Sequence, residues 1–600
     1  MKRLWVFFCL CLPGIAGAQT DSLLAPQITD VPHRQVLNLD GQWHYIIDPY
    51  NTGYFDYRHH PTADGFFRNR HVSDPGQLIE YNFSTSPTLH VPGDWNTQSP
   101  ELLYYEGTLW YERTFQFHPP PHKRIFLYFG AVNYHGVIGL NGKIIGEHIG
   151  GFTPFDMEVT HQLADGRNFI VAMTNNNRHK QGVPTNNFDW WNYGGITRDV
   201  YLITEPETFI EDYFIHLSDL QKHIISGWVK LNGPRADHRR VMVSIPSLKL
   251  NSPCMTDGDG KAYFSFQAPN LVLWSPRHPY LYPVSIKAGS DTLRDEVGFR
   301  TIAVQGTNIL LNGKPIFLKG VCMHEEAPFG GGRAHSVEQD HILLKWAKNM
   351  GCNFVRLAHY PYNEAMIREA EKMGIMVWSE IPVYWTIDWD NPGTLENAKR
   401  QLKEEITRDK NRANIILWSM GNENPRLPER LVFMKALVSE ARSLDPSRLI
   451  TAALQVSGAH HDTTYLDDPL GADLDVIGGN IYPGWYGPPA GPTARFTMIY
   501  NKPLIMSEFG AGALQGFHGD TTTRWTEEFQ YKVYEEDFAL LKTIPFLRGI
   551  CPWVLKDCRS PKRLLPFIQD GWNRKGLISD QGIPKEAYYL VKQYYSGKTW

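Results

Sequence analysis

Two hydrophobic rhythms divide the chain. Between about residues 40 and 204, short runs of alternating apolar and polar positions are separated by Gly, Pro, Asn and Asp. Examples are Gly41-Gln-Trp-His-Tyr-Ile46, Gly107-Thr-Leu-Trp-Tyr-Glu112 and Ile125-Phe-Leu-Tyr-Phe-Gly130. A period of two, punctuated by turn residues, predicts an all-β sandwich. A second β segment runs over 209–300, with Gly227-Trp-Val-Lys-Leu231 and Val241-Met-Val-Ser-Ile245, and Trp274-Ser-Pro-Arg-His-Pro-Tyr-Leu-Tyr282 closes it. Its length of about a hundred residues suits an immunoglobulin-like sandwich.

After Thr301 the rhythm becomes apolar strand, then amphipathic helix, repeatedly. Strands are predicted at 316–321, 354–358, 375–378, 415–420, 449–453, 476–480, 504–507 and 547–554, eight in all. Helix signals lie between them. Ser336 with Gln339 forms a capping box closed by Gly351, while Asn363 and Gly374 bracket a helix with Met366, Ile367 and Ala370 on one face. Eight strands alternating with helices over about three hundred residues predict a (β/α)8 barrel. The expected organisation is a signal segment at 1–18, a sandwich at 19–205, a second sandwich at 206–302 and the barrel at 303–600.

Two of the predicted strands run directly into a glutamate, in Trp418-Ser-Met-Gly-Asn-Glu423 and Pro503-Leu-Ile-Met-Ser-Glu-Phe-Gly510. A carboxylate at the end of a buried run is costly unless it is paired or used. Barrel chemistry sits at the C-terminal ends of strands, where Glu423 after strand four and Glu508 after strand seven face one mouth. Two carboxylates flanking one bond are the requirement for glycoside cleavage.

Composition narrows the alternatives. A net charge of −4 over 600 residues, without a basic stripe or acidic tail, argues against nucleic acid as a partner and against an electrostatic membrane partner. Lys2 and Arg3, the apolar stretch 4–12 and Ala16-Gly-Ala18 read as an export signal that is too short to span a bilayer. The expected location is therefore periplasmic or secreted. Of seven cysteines, Cys9 and Cys11 leave with the signal. The rest (Cys254, Cys322, Cys352, Cys551, Cys558) lack metal-ligand spacing, and a Cys551–Cys558 pair stays open. Neither a metal site nor a phosphate-binding glycine loop is found, so no cofactor is expected. A homo-oligomer also stays open.

Gly421-Asn-Glu423 and Ser507-Glu-Phe-Gly510, with Asn353-Phe-Val-Arg-Leu-Ala-His-Tyr-Pro361 and Trp378-Ser-Glu-Ile-Pro382, resemble the signatures of glycoside hydrolase family 2. The resemblance covers essentially the mature chain and implies a jelly-roll sandwich, an immunoglobulin-like sandwich and a catalytic barrel. It implies a retaining exo-β-glycosidase with Glu423 as acid/base and Glu508 as nucleophile, their carboxyls roughly 5–5.5 Å apart. The pKa of Glu423 should then be raised by its site and by ionised Glu508. Asn422 would bind the sugar 2-hydroxyl, or only stabilise the turn. Arg356, beside His359 in its motif, would hold Glu508 ionised, or form a structural pair elsewhere in the mouth. Tyr482 would donate to Glu508, or stand as a rim aromatic; Trp553 would stack beneath the sugar, or fill core.

The sugar is suggested by Gly571-Trp-Asn-Arg-Lys-Gly576. Its Asn573-x-Lys575 pair resembles the carboxylate grip of the β-glucuronidase branch, and an ammonium with an amide donor suits a uronic acid. The bland alternative is a solvated turn. Phe188-Asp-Trp-Trp-Asn-Tyr-Gly-Gly195, with Asp189, also resembles that branch, as do His324, Asn480 and Tyr486. Two features depart from it. Gln569 stands where some members have an arginine, and 326–333 is distinctive, which nominates Arg333 as a substitute cation. The short glycine-rich loop 328–333 predicts an open entrance suited to uronic-acid-bearing oligosaccharides or polysaccharide ends. A β-galactosidase or β-galacturonidase on the same scaffold is the rival enzyme. A non-catalytic carbohydrate-binding protein is the rival class, disfavoured because both glutamates are present.

Overall fold

The computed structural model describes residues 27–62, 65–460, 463–491 and 493–597. The export signal expected at 1–18 lies outside them. Two antiparallel sheets of four and six strands form the N-terminal jelly-roll sandwich. Its core is made by inward positions such as Trp43, Leu109, Tyr111, Leu127 and Ile170. The long pairing of Gly166–Asn175 with Thr108–Phe117 places Ala172 opposite Tyr111 and Ile170 opposite Arg113. A second sandwich follows, with sheets of three and four strands closing on Tyr213, Val229, Val243 and Ile286.

The third region is a closed parallel barrel. We number its strands β1 (Leu318–Lys319 and Cys322–Met323), β2 (Phe354–Leu357), β3 (Met376–Glu380), β4 (Ile415–Asn422), β5 (Leu449–Gln455), β6 (Ile477–Asn480), β7 (Leu504–Glu508) and β8 (Leu547–Ile550). Strand β1 is split, its first half pairing with β8 and its second with β2. The split lies at Gly320, where a Cβ would sit 2.6 Å from Cys551 Sγ and 2.7 Å from the Phe354 ring. Only a residue without a side chain closes the barrel there.

Side chains alternate as strand geometry requires. Phe354, Met376, Trp378, Leu417 and Ile505 point into the barrel, while Val355, Val377, Trp418 and Met506 meet the helices. A three-stranded sheet (Ile302–Gln305, Asn308–Leu311, Lys314–Ile316) inserts Ile309 and Leu311 into the inward cluster and plugs the bottom.

Six α-helices are found among the described residues: α1 (Val337–Met350), α2 (Glu364–Met373), α3 (Pro392–Asp409), α4 (Pro428–Leu444), α5 (Glu527–Leu541) and α6 (Glu586–Ser596). The Ser336 hydroxyl accepts from Gln339 N, and Gly351 ends α1 with φ +97°, as the sequence predicts. Asn363 and Gly374 cap α2 likewise.

The strict strand–helix alternation does not hold. After β5 the chain makes strands Ser457–His460 and Thr463–Leu466 and a 3-10 turn, Pro469–Ala472; after β6 it makes Arg495–Met498, which pairs with Thr463–Leu466. Pro483, Gly484, Gly487, Pro488, Pro489 and Gly491 explain the missing helix after β6, because each disfavours helical backbone.

All five cysteines outside the signal are free thiols, so Cys551 and Cys558 do not pair. No helix among the described residues is long and apolar enough to cross a membrane.

Candidate active site

The C-terminal ends of β2, β3, β4, β6 and β7 bring together most of the chemistry. Parallel pairing puts Asn480 beside Glu508 and Asn422 beside Ala453, with register shifts just before Asn422 and Asn480. Such irregularities re-aim side chains at sheet ends. Immediately after β4, Glu423 takes φ +48°, and its N–H bonds Ala453 O at 2.8 Å. The carboxylate that follows a continuous apolar strand is thus turned into the mouth. Gly421 makes room for this turn: a Cβ there would sit 2.6 Å from both Val383 O and Asn424 Oδ1.

Arg356, fully buried, is the hub. Its Nη1 donates to Glu508 Oε1 at 2.8 Å, and its Nη2 donates to Glu380 Oε1 at 2.9 Å and to Asn422 Oδ1 at 2.7 Å. The expected pairing of Arg356 with Glu508 is therefore present. Tyr482 OH donates to Glu508 Oε2 at 2.7 Å, as the sequence suggests. Glu508 thus has a cation on one oxygen and a phenol on the other.

Glu380, at the end of β3, lies in the Trp378–Pro382 motif, but the sequence gives it no role of its own. It accepts from Arg356, from Trp378 Nε1 at 2.9 Å and from Ser419 Oγ at 2.8 Å, and lies 2.9 Å from His359 Nδ1. Burial raises its pKa, but Arg356 and His359 outweigh burial and bring it down to about 2. Glu380 therefore anchors Arg356 as a permanent counter-charge. The other side of the His359 ring faces Trp553, with centroids 4.9 Å apart and planes 23° apart.

Glu423 has the opposite environment. It is half-buried, and Trp385 Nε1 donates to its Oε2 at 2.9 Å. Burial first, and then the charge of Glu508, raise its pKa to about 7 against the donors Trp385 and Asn480. Two carboxyls in one mouth are therefore poised differently, one protonated near neutrality and one held by a guanidinium. Trp385 had no sequence signal.

Between them lies an amide pair. Asn480 Nδ2 donates to Asn422 Oδ1 at 3.1 Å, and Ser507 Oγ donates to Asn480 Oδ1 at 2.7 Å. The Asn422 Nδ2 is buried without a hydrogen-bond partner among the described residues. An orphaned donor of this kind is costly unless a ligand meets it. His324 is similar: Nδ1 lies 3.1 Å from Tyr360 OH, while buried Nε2 has no hydrogen-bond partner among the described residues. Burial and neighbouring cations press its pKa well below the ordinary value, so the ring is neutral.

At the outer end, Lys575 is buried, and its Nζ donates to Tyr486 OH at 2.8 Å. It forms no ion pair with any described carboxylate. Asn573 is buried beside it, its Oδ1 accepting from Lys575 N at 3.3 Å. Burial alone would raise the Tyr486 phenol, but Lys575 and Arg563 reverse that and lower it.

The sandwich loop contributes Asp189, which accepts from Ser560 Oγ at 2.5 Å and pairs with Arg563. Trp190, from the same loop, packs edge-on against Tyr384 at 5.0 Å. The N-terminal sandwich is thus part of the barrel mouth.

Arg333 is not the substitute cation. It is buried against the rings of Phe152, Tyr193 and Tyr360 and faces Glu325 at 3.6 Å, bracing the sandwich against the barrel. Its loop turns back on itself through Ala327 N–H to Gly332 O. The cation that joins Lys575 is Arg563, whose Nη1 lies 3.4 Å from Tyr486 OH. Gln569, which stands where some members of the branch have an arginine, closes the loop carrying Arg563 by bonding Leu565 O through its N–H at 2.8 Å.

Comparison with known proteins agrees with this construction. Residues 36–206 match the sugar binding domain of glycosyl hydrolases family 2, and residues 302–598 match the TIM barrel domain of that family. A β-glucuronidase of Paenibacillus borealis is 28% identical over 622 residues, covering 94% of this chain and 97% of its own. The solved β-glucuronidase of Faecalibacterium prausnitzii has TM-score 0.80 at 26% identity, covering 96% of this chain and 99% of its own. A family 2 β-galacturonidase from Eisenbergiella tayi shares the fold, with TM-score 0.77, 24% identity and coverage of 94% and 97%. Because the two matched regions are the sandwich and the barrel that together build this mouth, the chain belongs to glycosyl hydrolase family 2.

Proposed function

We propose that the protein is a retaining exo-β-glucuronidase that releases terminal uronic acid from oligosaccharides or polysaccharide ends. The observation that carries this reading is Lys575, a buried ammonium whose side-chain partner is a phenol rather than a carboxylate. A substrate carboxylate would complete its pairing, with Asn573 as a further donor. The β-glucuronidase relatives support the same substrate class.

In the first step the Glu508 carboxylate attacks the anomeric carbon. The bond to the leaving oxygen breaks, and Glu423 delivers its proton to that oxygen. In the second step Glu423, now ionised, takes a proton from water. The water oxygen bonds the anomeric carbon, and the ester to Glu508 breaks. A pKa of about 7 suits Glu423 to both roles, and glycosylation of Glu508 removes the charge that helps raise it. The free Asn422 Nδ2 is suited to the 2-hydroxyl. Trp553, His324 and His359 pack ring against ring as one aromatic group, and Asp189 holds Arg563 at the carboxylate end.

The test is a panel of chromogenic β-glucuronide, β-galacturonide and β-galactoside, with product stereochemistry followed by NMR. Glucuronide turnover with retention is expected. Turnover of the neutral galactoside alone would sink the carboxylate argument, and preference for galacturonide would transfer the reading to the C4 epimer. Export is likewise our proposal, supported by the segment 1–18, and N-terminal sequencing of the mature protein after Ala18 tests it.

A further inference from the structure

The leaving-group side of the mouth carries a cation that bond cleavage does not require. Trp385 holds Glu423 Oε2 through its indole N–H, so the ring borders the space where the leaving oxygen receives its proton. The Lys562 ammonium stands 4.5 Å from the centroid of that ring and donates to Asn187 Oδ1 at 2.5 Å. Lys562 is exposed and forms no ion pair among the described residues. A cation–π contact and one neutral acceptor leave its charge uncompensated and N–H donors free.

The placement is held by backbone. Lys562 N donates to Ser560 Oγ at 3.2 Å, Arg563 N donates to Ser560 O at 3.3 Å, and Gly571 N returns to Arg563 O at 2.8 Å. Successive side chains therefore diverge: Arg563 turns to Asp189 and Tyr486 at the sugar-carboxylate end, and Lys562 turns to Trp385 at the exit. One loop supplies a cation to each side of the scissile bond.

We propose that Lys562, with Trp385 and Asn187, forms a leaving-group subsite for a saccharide that itself carries an anionic group, a sulfate ester or a carboxylate. The proposal rests on the β-glucuronidase reading, because it takes Glu423 as the acid. It narrows the natural substrate to an anionic glycan rather than a glucuronide of a neutral alcohol.

The experiment compares kcat/KM for β-glucuronosyl disaccharides whose second sugar is neutral, sulfated or itself a uronic acid, with phenyl β-glucuronide as a check on the reaction. The intact protein should prefer at least one anionic disaccharide over the neutral one, and the preferred arm names the anion. Lys562→Gln should lower the anionic-to-neutral ratio roughly 3- to 10-fold, Lys562→Arg should restore most of it, and added salt should erode it in the unmodified protein. A ratio unchanged in Lys562→Gln, the absence of any anionic preference in the unmodified protein, or a preference that added salt does not erode, overturns the subsite. The salt series needs no variant, so it decides the matter even where Lys562→Gln fails to fold. Absence of turnover on phenyl β-glucuronide would instead overturn the function on which the subsite rests.

Discussion

The inner and outer ends of the mouth are built differently. Arg356, Glu380, Asn422 and Glu508 stand on β2, β3, β4 and β7, are all buried, and are knit together by Arg356. Asp189, Tyr486, Arg563 and Lys575 come from a sandwich loop and from segments after β6 and β8, and Tyr486 is 60% exposed. The inner group inherits its geometry from the ladder of parallel strands. The outer group depends on three distant segments meeting. On the proposed function, bond cleavage is thus anchored to the part of the barrel least free to change, and sugar recognition to the part most open to variation.

The sharpest way to break the comparison is at the inner end. Glu508→Gln should lower kcat by roughly 10^4-fold or more and abolish burst kinetics, since no other residue replaces a nucleophile. Arg356→Met comes next. It leaves Glu380 and Glu508 buried without their shared cation, so a loss of about 3–5 kcal/mol in urea unfolding is expected. The sign with pH follows from Glu380, held at about 2 against an ordinary value of 4.5. Its contribution is present above pH 4.5 and is lost as pH falls toward 2, so the unmodified protein should lose stability in that window and Arg356→Met much less.

The outer end should respond in recognition rather than in stability. Lys575→Ala should cut kcat/KM for a β-glucuronide by about 100-fold while changing a neutral glycoside far less. Equal losses on both would show that Lys575 acts through the scaffold. Tyr486→Phe removes the phenol oxygen shared by Lys575 and Arg563 and should cost about 3- to 10-fold in kcat/KM, with the fold unchanged by circular dichroism. The smallest effect is a displacement of the pH profile. With Glu423 at about 7, kcat/KM should fall above that pH. Trp385→Phe removes a donor that favours the ionised carboxylate, so the descending limb should move to higher pH; a shift downward would contradict the assigned acid.

Much of this was legible in the chain. Alternation in period two marked both sandwiches, and buried runs at 354–358, 415–420 and 504–507 marked β2, β4 and β7 within a few residues. The strand-end glutamates could be read because a charge ending an apolar run stands out. Glu380 ends a run in the same way, but the sequence assigns it no role, because its side chain faces Arg356. The helices missing after β5 and β6 were obscured by counting strands, whereas the Pro and Gly residues of 483–491 carried the information. Arg333 misled because closeness to the mouth in sequence does not tell whether a guanidinium meets solvent or three aromatic rings.

The sequence by itself determined the order of sandwiches and barrel, the two strand-end carboxylates and the Asn573-x-Lys575 pair, because hydrophobic period and charge within a run are local properties. Tertiary structure decided which cation accompanies Lys575, which indole holds Glu423, and which carboxylate balances Arg356. The indole of Trp385 and Glu423 lie 38 residues apart, Glu380 and Arg356 lie 24 apart, and Arg563 is held by Asp189, 374 residues away. At such separations the pairing follows from barrel closure and from the sandwich loop folding over the mouth, and no local pattern encodes it.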